Sequence, residues 1–100
     1  IDAVWTFDTD ERFTDAERSA LRLARDAASV PNATTGEHFD DLAPHFDEEQ
    51  IVEIVAVISL FGWLNRWNDT MATDLEDEPL GFGRAHLAAQ GWDPGKHAHP

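Results

Sequence analysis

The sequence contains no cysteine. This absence excludes disulfide bonds, zinc sites built on thiolates and any thiol chemistry supplied by the chain itself. It does not distinguish between compartments, because cytosolic and exported domains can both lack cysteine. A function that depends on a sulfur nucleophile would therefore need a thiol from outside these residues.

Positive charge is also scarce. Lysine and arginine together number 7, against 20 aspartates and glutamates, which gives a formal net charge of -13. Such a surface repels the phosphates of nucleic acids and the anionic headgroups of lipids, so neither a nucleic acid nor a membrane is expected as a partner. The acidic residues are interpreted mainly as a solvated surface.

No apolar run is long enough to cross a bilayer. The run over residues 54–64 corresponds to about half of a membrane span and indicates a protein core. The chain lacks a positively charged start followed by an apolar run, so no signal peptide is predicted and a cytoplasmic location is expected. Its first residue is Ile1 rather than methionine, from which we expect a processed or truncated chain.

No segment of the sequence is predicted to form a β-strand. Three segments instead match the pattern of a helix start. In a capping box, the first side chain accepts a hydrogen bond from the backbone three residues later, and the side chain there reaches back. This pattern occurs at residues 14–17, 34–37 and 47–50. The sequence therefore predicts an all-α fold.

The first capping box is predicted to open a helix that runs to about residue 28, and Pro31 breaks the pattern after it. The second opens a short helix that carries Phe39 and Leu42 and ends or kinks at Pro44. The third opens a long central helix over about residues 48–72.

Both ends of the chain are predicted to be less regular. Residues 1–5 are interpreted as the end of a helix, and residues 76–83 as a loop. Residues 84–90 are predicted to form a last short helix with Gly91 as its left-handed cap. Residues 92–100 are predicted to be irregular.

The central helix is apolar on all sides between residues 54 and 64, apart from Ser59 and Gly62. A helix with this pattern is normally buried all round. A chain of 100 residues supplies little protein to cover it. The pattern therefore predicts either an oligomer core or a missing portion of the molecule.

Four segments, taken in order, resemble a known family. They are residues 13–24 (FTDAERSALRLA), 34–39 (TTGEHF), 45–53 (HFDEEQIVE) and 64–68 (LNRWN). Their order and spacing resemble the C-terminal part of the carboxymuconolactone decarboxylase / alkylhydroperoxidase-like family. The resemblance covers nearly the whole chain, although no single segment is diagnostic.

The resemblance implies an all-helical protein that assembles as a homo-oligomer. In the peroxidase branch of the family, a Cys-x-x-Cys pair acts with a nearby histidine and glutamate, and this motif lies upstream of the position equivalent to Ile1. The resemblance therefore implies a peroxide-reducing, antioxidant activity whose redox cysteines lie outside this chain. Residues 1–100 are expected to be a single helical domain, the C-terminal portion of a longer one, which pairs with the N-terminal part of the same protein. No cofactor is implied.

Two other functions stay open at this point. A protein could keep the fold, lose the thiols and serve as a non-catalytic oligomerisation or small-molecule-binding module. Alternatively, a thiol-independent enzyme of the decarboxylase type would use glutamate and histidine as acid and base. A Cys-x-x-Cys pair encoded upstream in the parent gene would distinguish the thiol-dependent function from these two alternatives.

Glu53 is the acid that lies inside the apolar helix, and it is the candidate catalytic residue. Its functional interpretation is a proton carrier that faces an active site. The structural alternative is a glutamate near the helix start, at the edge of burial.

A second group of candidates follows where the same helix becomes polar. Arginine and tryptophan are typical anchors of interfaces, so these residues are predicted to line a pocket or a subunit contact: Trp63, Asn65, Arg66, Trp67 and Asn68. Arg66 is expected to pair with an acid from another segment or subunit, because a buried guanidinium needs such a partner.

Histidines suggest two weak metal sites. His38, Asp41 and His45 would share a helical face only if Pro44 did not interrupt the helix. His97 and His99 in the tail, with His86, form the other combination, for which a flexible terminus is the alternative. No metal site is predicted from either set.

Overall fold

The structure of the protein is a computed structural model that describes residues 2–98. Its α-helices are α1 (Asp15–Ala27), α2 (Gly36–Leu42), α3 (Glu48–Met71) and α4 (Asp77–His86). Short 3-10 helices comprise Asp2–Thr6, Ala88–Gln90 and Gly95–His97, and no strand occurs among the described residues. The predicted all-α fold is therefore confirmed.

These residues divide into two compact units. Residues 6–64 form one unit, and residues 2–5 together with 65–98 form the other. The first part of α3, up to residue 64, belongs to the first unit, and its remainder belongs to the second.

α1 begins at the first predicted capping box. The Thr14 hydroxyl accepts a hydrogen bond from the Glu17 N–H at 3.1 Å, and the Glu17 carboxylate accepts one from the Thr14 N–H at 3.0 Å. The helix buries Leu23, which is 2% exposed, while Leu42 of α2 is 0% exposed. These two leucines are the most deeply buried large side chains described.

The segment before α1 is held against that helix by arginine. The Arg18 guanidinium donates to the backbone carbonyl of Phe7 at 3.1 Å and to that of Asp10 at 2.7 Å. The Asp10 carbonyl also accepts a hydrogen bond from the Phe13 N–H at 3.3 Å. Arg18 therefore adds to the few backbone hydrogen bonds of this segment, since buried carbonyls need such partners.

Asp8 provides a second attachment of the same loop. Its carboxylate accepts from Arg22 at 2.8 Å and from Arg25 at 3.2 Å, and the Arg22 hydrogen bond is the main cause of its lowered pKa. The Arg25 guanidinium also lies 5.5 Å from the centre of the Phe7 ring, within the range of a cation–π interaction. The arginine face of α1 is thus an internal contact surface.

α2 starts one residue later than predicted. The sequence predicted Thr34 as the cap and Glu37 as the residue that reaches back, whereas the cap is Thr35 and the third helical residue is His38. Nδ1 of His38 accepts a hydrogen bond from the Thr35 N–H at 3.0 Å. An imidazole can replace a carboxylate here because its unprotonated nitrogen is an acceptor. The helix ends at Leu42, two residues before the proline, as predicted.

α3 begins at the third predicted capping box and ends within one residue of the predicted boundary. The Asp47 carboxylate accepts from the Gln50 N–H at 2.8 Å, and the Gln50 side-chain oxygen accepts from the Asp47 N–H at 3.0 Å. No helix among residues 2–98 has the length and apolar character needed to cross a membrane.

Most of α3 is uncovered in the single chain. None of its residues is buried. The large apolar side chains that are 37–67% exposed on it are Val52, Val55, Val57, Leu60, Phe61, Trp63, Trp67 and Met71. The chain itself therefore does not bury this helix, and a covering partner stays a prediction.

α4 occupies much of the segment that was predicted to be a loop, and that prediction was wrong. The helix begins after Glu76, and Pro79 lies in its first turn. Proline is tolerated there because the first backbone N–H groups of a helix have no partner within the helix. The acidic residues Asp77 and Glu78 also favour a helix start, since they face the positive end of its dipole.

The end of α4 differs from the predicted helix over residues 84–90. The α-helix stops at His86, and a 3-10 turn over Ala88–Gln90 follows. Gly91 has φ 95°, so the predicted left-handed cap is confirmed at this glycine. Gly83 lies so close to the Trp92 ring that a Cβ atom on it would come within 2.6–2.8 Å of three ring carbons.

Candidate functional site

An apolar groove lies between α1 and the first part of α3, inside the unit of residues 6–64. Its volume is about 470 Å³. The stripe at positions 50, 53, 54, 57 and 58 of α3 shares one helical face, as the 3.6-residue period requires. The groove is lined by Ala20, Leu21 and Ala24 of α1, by Phe46, and by Gln50, Glu53, Ile54, Val57 and Ile58 of α3.

Small side chains on α1 make room for this groove. In the structure Leu23 points into the core, while Ala20 and Ala24 line the groove with Leu21. Two alanines one turn apart, opposite an unusually apolar helix, were the signal in the sequence that could have indicated space for a ligand.

Two polar side chains interrupt the apolar lining. Gln50 is already engaged, because its side-chain oxygen accepts the Asp47 N–H in the cap of α3. Its amide nitrogen therefore remains the group that can donate toward a ligand. Glu53 is exposed in the single chain, and no described residue donates a hydrogen bond to its carboxylate. The structure thus places the candidate catalytic residue on the groove wall, and its proton-transfer role stays a prediction.

The second group of candidates is separated by the structure. Asn65 and Asn68 line a polar cavity of about 340 Å³ in the other unit, together with Asp69, Thr73, Leu75, Trp92, Asp93, Pro94 and His97. Trp63, Arg66 and Trp67 are exposed and do not line it.

The predicted ion pair of Arg66 is not found within the chain, since no acid among residues 2–98 pairs with it. Arg66 lies on an exposed part of α3. The prediction that remains is an ion pair between Arg66 and an acid of another subunit.

Asp69 is the charged centre of the polar cavity. Its carboxylate lies 3.3 Å from the Lys96 amine and 3.4 Å from Nε2 of His97. These two groups, Lys96 first, lower the pKa of Asp69. Nδ1 of His97 lies 2.7 Å from the Thr73 carbonyl, so that nitrogen donates. The cavity wall is therefore fixed by its own internal contacts.

The structure does not bring the weak metal-ligand candidates together. His38 uses both ring nitrogens elsewhere, with Nδ1 on Thr35 and Nε2 at 2.6 Å from the Asp26 carboxylate. No group of three or more potential metal ligands occurs in the described part of the chain, so His38, Asp41 and His45 form no such site.

The tail histidines are also separated. His86 lies 3.1 Å from the Asp2 carboxylate, and His97 contacts Thr73 and Asp69. His99 lies outside the described residues.

The Asp26–His38 contact joins the end of α1 to the start of α2. Nδ1 of His38 accepts a hydrogen bond, so the proton of the neutral ring lies on Nε2 and is donated to Asp26. The Arg25 guanidinium, at 2.9 Å, and His38 together lower the pKa of Asp26 to about 2. These contacts between Arg25, Asp26 and His38 are interpreted as a structural link between α1 and α2 rather than as a reactive site.

The stabilising contribution of Asp26 is expected to show in the pH dependence of unfolding. The pKa of Asp26 is lowered in the folded state from 3.8 to about 2, so its stabilising contribution is present above 3.8 and is lost as the pH falls through about 2. Asp26→Asn is expected to make the unfolding free energy less dependent on pH across this interval. Urea denaturation at several pH values would measure it, with Asp41→Asn, an exposed acid without an ion pair among residues 2–98, as the matched control. The prediction would be contradicted if the unfolding free energies of the parent and Asp26→Asn fell equally with decreasing pH.

Comparison with known proteins identifies a related protein. No family model matches the chain, and no curated protein matches it. Two solved structures of the debrominase Bmp8 are similar, and both are 39% identical to this sequence. The apo form covers 87% of this chain with a TM-score of 0.75, and a cysteine-to-alanine variant in complex with 2,3,4-tribromopyrrole covers 88% with a TM-score of 0.76.

The match covers only part of the Bmp8 chain. This chain spans 45% of the Bmp8 chain in both structures. An identity of 39% over most of the present sequence indicates a relationship in sequence as well as in fold. The chain is therefore similar, in sequence and helical fold, to somewhat less than half of a debrominase.

Proposed function

We propose that this chain is the ligand-binding helical part of a carboxymuconolactone decarboxylase / alkylhydroperoxidase-like protein that reduces a small apolar molecule with thiols located outside these residues. The similarity to the debrominase Bmp8 favours reductive dehalogenation of an aromatic ring. Peroxide reduction, implied by the family resemblance, is the second candidate. The apolar groove between α1 and α3 is the observation that carries the proposal.

The electron balance of debromination shows what the thiols outside this chain would supply. Replacing a carbon–bromine bond by a carbon–hydrogen bond consumes two electrons and a proton and releases bromide. Oxidation of two thiols to a disulfide supplies two electrons, and the attacking species is a thiolate. Since the chain has no cysteine, its own contribution is confined to binding and to proton transfer. Glu53, the acid on the groove wall, is the group proposed for the latter.

The proposal includes a homo-oligomer and a cytoplasmic location. Uncovered apolar residues along α3 support a partner surface, because exposed apolar patches of this kind mark contact sites. The cytoplasm is the compartment in which dithiol reductants keep such thiols reduced.

The chain by itself is expected to release no bromide from 2,3,4-tribromopyrrole and to consume no organic hydroperoxide in the presence of a dithiol reductant. The reason is the absence of a sulfur nucleophile. Bromide release and peroxide consumption, measured against buffer, would test it. Turnover above buffer that survives metal chelation would show that the chain has chemistry of its own.

Binding is expected even without turnover. Isothermal titration of the intact chain with 2,3,4-tribromopyrrole should give saturable binding, and Val57→Phe should weaken it about tenfold or more by filling the groove. Val57 lines the groove, whereas Val52 is 67% exposed on the same helix and does not line it. Val52→Phe is therefore the matched control. Equal effects of the two substitutions, or no binding to the parent, would refute the groove as the ligand site.

A further inference from the structure

The polar groups of the groove suggest which small molecules it accepts. Resting on the function proposed above, we infer that the groove selects a planar aromatic ligand with one N–H or O–H group, which donates a hydrogen bond to the Glu53 carboxylate. The ring itself contacts the aliphatic and aromatic lining. The inference concerns recognition and requires no redox step.

The composition of the lining supports a small apolar ligand. Seven of the nine lining residues are apolar, and the exceptions are Gln50 and Glu53. Sites for small molecules are typically about 300–1,000 Å³, mostly apolar, with a few polar groups that fix orientation. The groove volume of about 470 Å³ lies within this range. One aromatic ring with bulky substituents fits such a space.

The polar groups favour a ligand that donates. An ionised carboxylate only accepts hydrogen bonds, and no described residue donates to Glu53. Gln50 cannot neutralise the Glu53 carboxylate, because an amide side chain carries no charge. The Gln50 side-chain oxygen also already accepts the Asp47 N–H in the α3 cap. Anionic ligands are disfavoured by the chain's net charge of -13. A neutral ring with an N–H or O–H supplies the missing donor without adding negative charge.

The same argument disfavours a purely apolar surface as the occupant. Covering Glu53 with a purely apolar surface would remove water from the carboxylate without replacing its hydrogen bonds, which is costly. A ligand that brings its own donor satisfies Glu53 and covers the apolar lining at once.

A pair of ligands and a pair of variants test the inference. The intact chain is titrated with 2,3,4-tribromopyrrole and with its N-methyl derivative, which keeps the ring and the bromines but lacks the donor. The parent is expected to prefer the N–H compound about tenfold, as for a hydrogen bond to a charged group. Glu53→Leu should reduce this preference to about onefold by weakening the N–H compound specifically. Glu49→Leu, one turn earlier and outside the groove, should keep the parental preference.

The outcomes separate this inference from the proposed function. Equal affinity of both pyrroles for the parent, or loss of preference in Glu49→Leu as well, would overturn the role of Glu53 while leaving an apolar ligand site intact. Absence of binding by both pyrroles would overturn the inference and the groove together. The debromination assay does not enter, because neither pyrrole needs to react for its affinity to be measured.

Discussion

Light scattering on the intact protein at micromolar concentration is expected to give the mass of a dimer or a larger oligomer. The reason lies in α3, where Leu60 is 55% and Phe61 59% exposed within one chain. Removing apolar surface from water stabilises association by about 25 cal/mol per Å² before the costs of ordering are subtracted. Several such side chains along one helix supply a surface of the kind found at the centre of an interface.

Charge introduced into α3 should dissociate this oligomer. Leu60→Glu and Phe61→Glu are each expected to shift the protein toward the monomer, because an unpaired carboxylate in an apolar contact is strongly unfavourable. Val30→Glu introduces the same charge at a loop residue that is 92% exposed, and it should keep the parental mass. A stable monomer of the parent with unchanged helicity would contradict the predicted interface.

Gly83→Ala is expected to destabilise the protein by about 1–3 kcal/mol, the usual cost of forcing extra volume into a packed site. The added Cβ would lie 2.6 Å from the nearest carbon of the Trp92 ring, so the indole would have to move. Gly83 is buried within α4 and Trp92 is half-buried, so moving the indole away would lose this packing contact. Urea denaturation followed by circular dichroism would measure the change.

The matched control for this substitution lies one half-turn away. Gly81 is in the same helix, and a Cβ there would meet nothing within 4 Å. Gly81→Ala should therefore stabilise the protein by about 0.5–1 kcal/mol, because alanine loses less backbone freedom in a helix than glycine does. The two alanines are expected to act with opposite signs. Destabilisation of similar size at both positions would show that the Trp92 contact is not the cause.

The helix starts could be predicted where all partners lie within one turn of sequence. The capping boxes of α1 and α3 have this property, and both occur as predicted. The start of α2 was placed one residue early because Glu37 matched the usual pattern better than His38 does. The imidazole is selected by the Asp26 carboxylate, twelve residues away, and no local pattern contains that contact.

α4 and the groove needed information that sequence periodicity does not carry. Glycine and proline between residues 76 and 83 suggested a loop, but Gly83 is required by the Trp92 ring rather than by a turn. Glu53 was identified because it is a lone acid among apolar residues. Its opposition to Ala20 and Ala24 across the groove depends on how α1 packs beside α3, which no single helix pattern specifies.

The arginine contacts of α1 have a consequence for local unfolding. The loop after residue 6 has few backbone hydrogen bonds of its own, and its attachment runs through Arg18 to two carbonyls and through Asp8 to two more arginines. A loop of this kind would ordinarily exchange its amide hydrogens by independent fluctuations. Here its larger openings require the guanidinium contacts to break, so exchange of the loop should be linked to the opening of α1. The segment and the helix would then behave as a single cooperative unit.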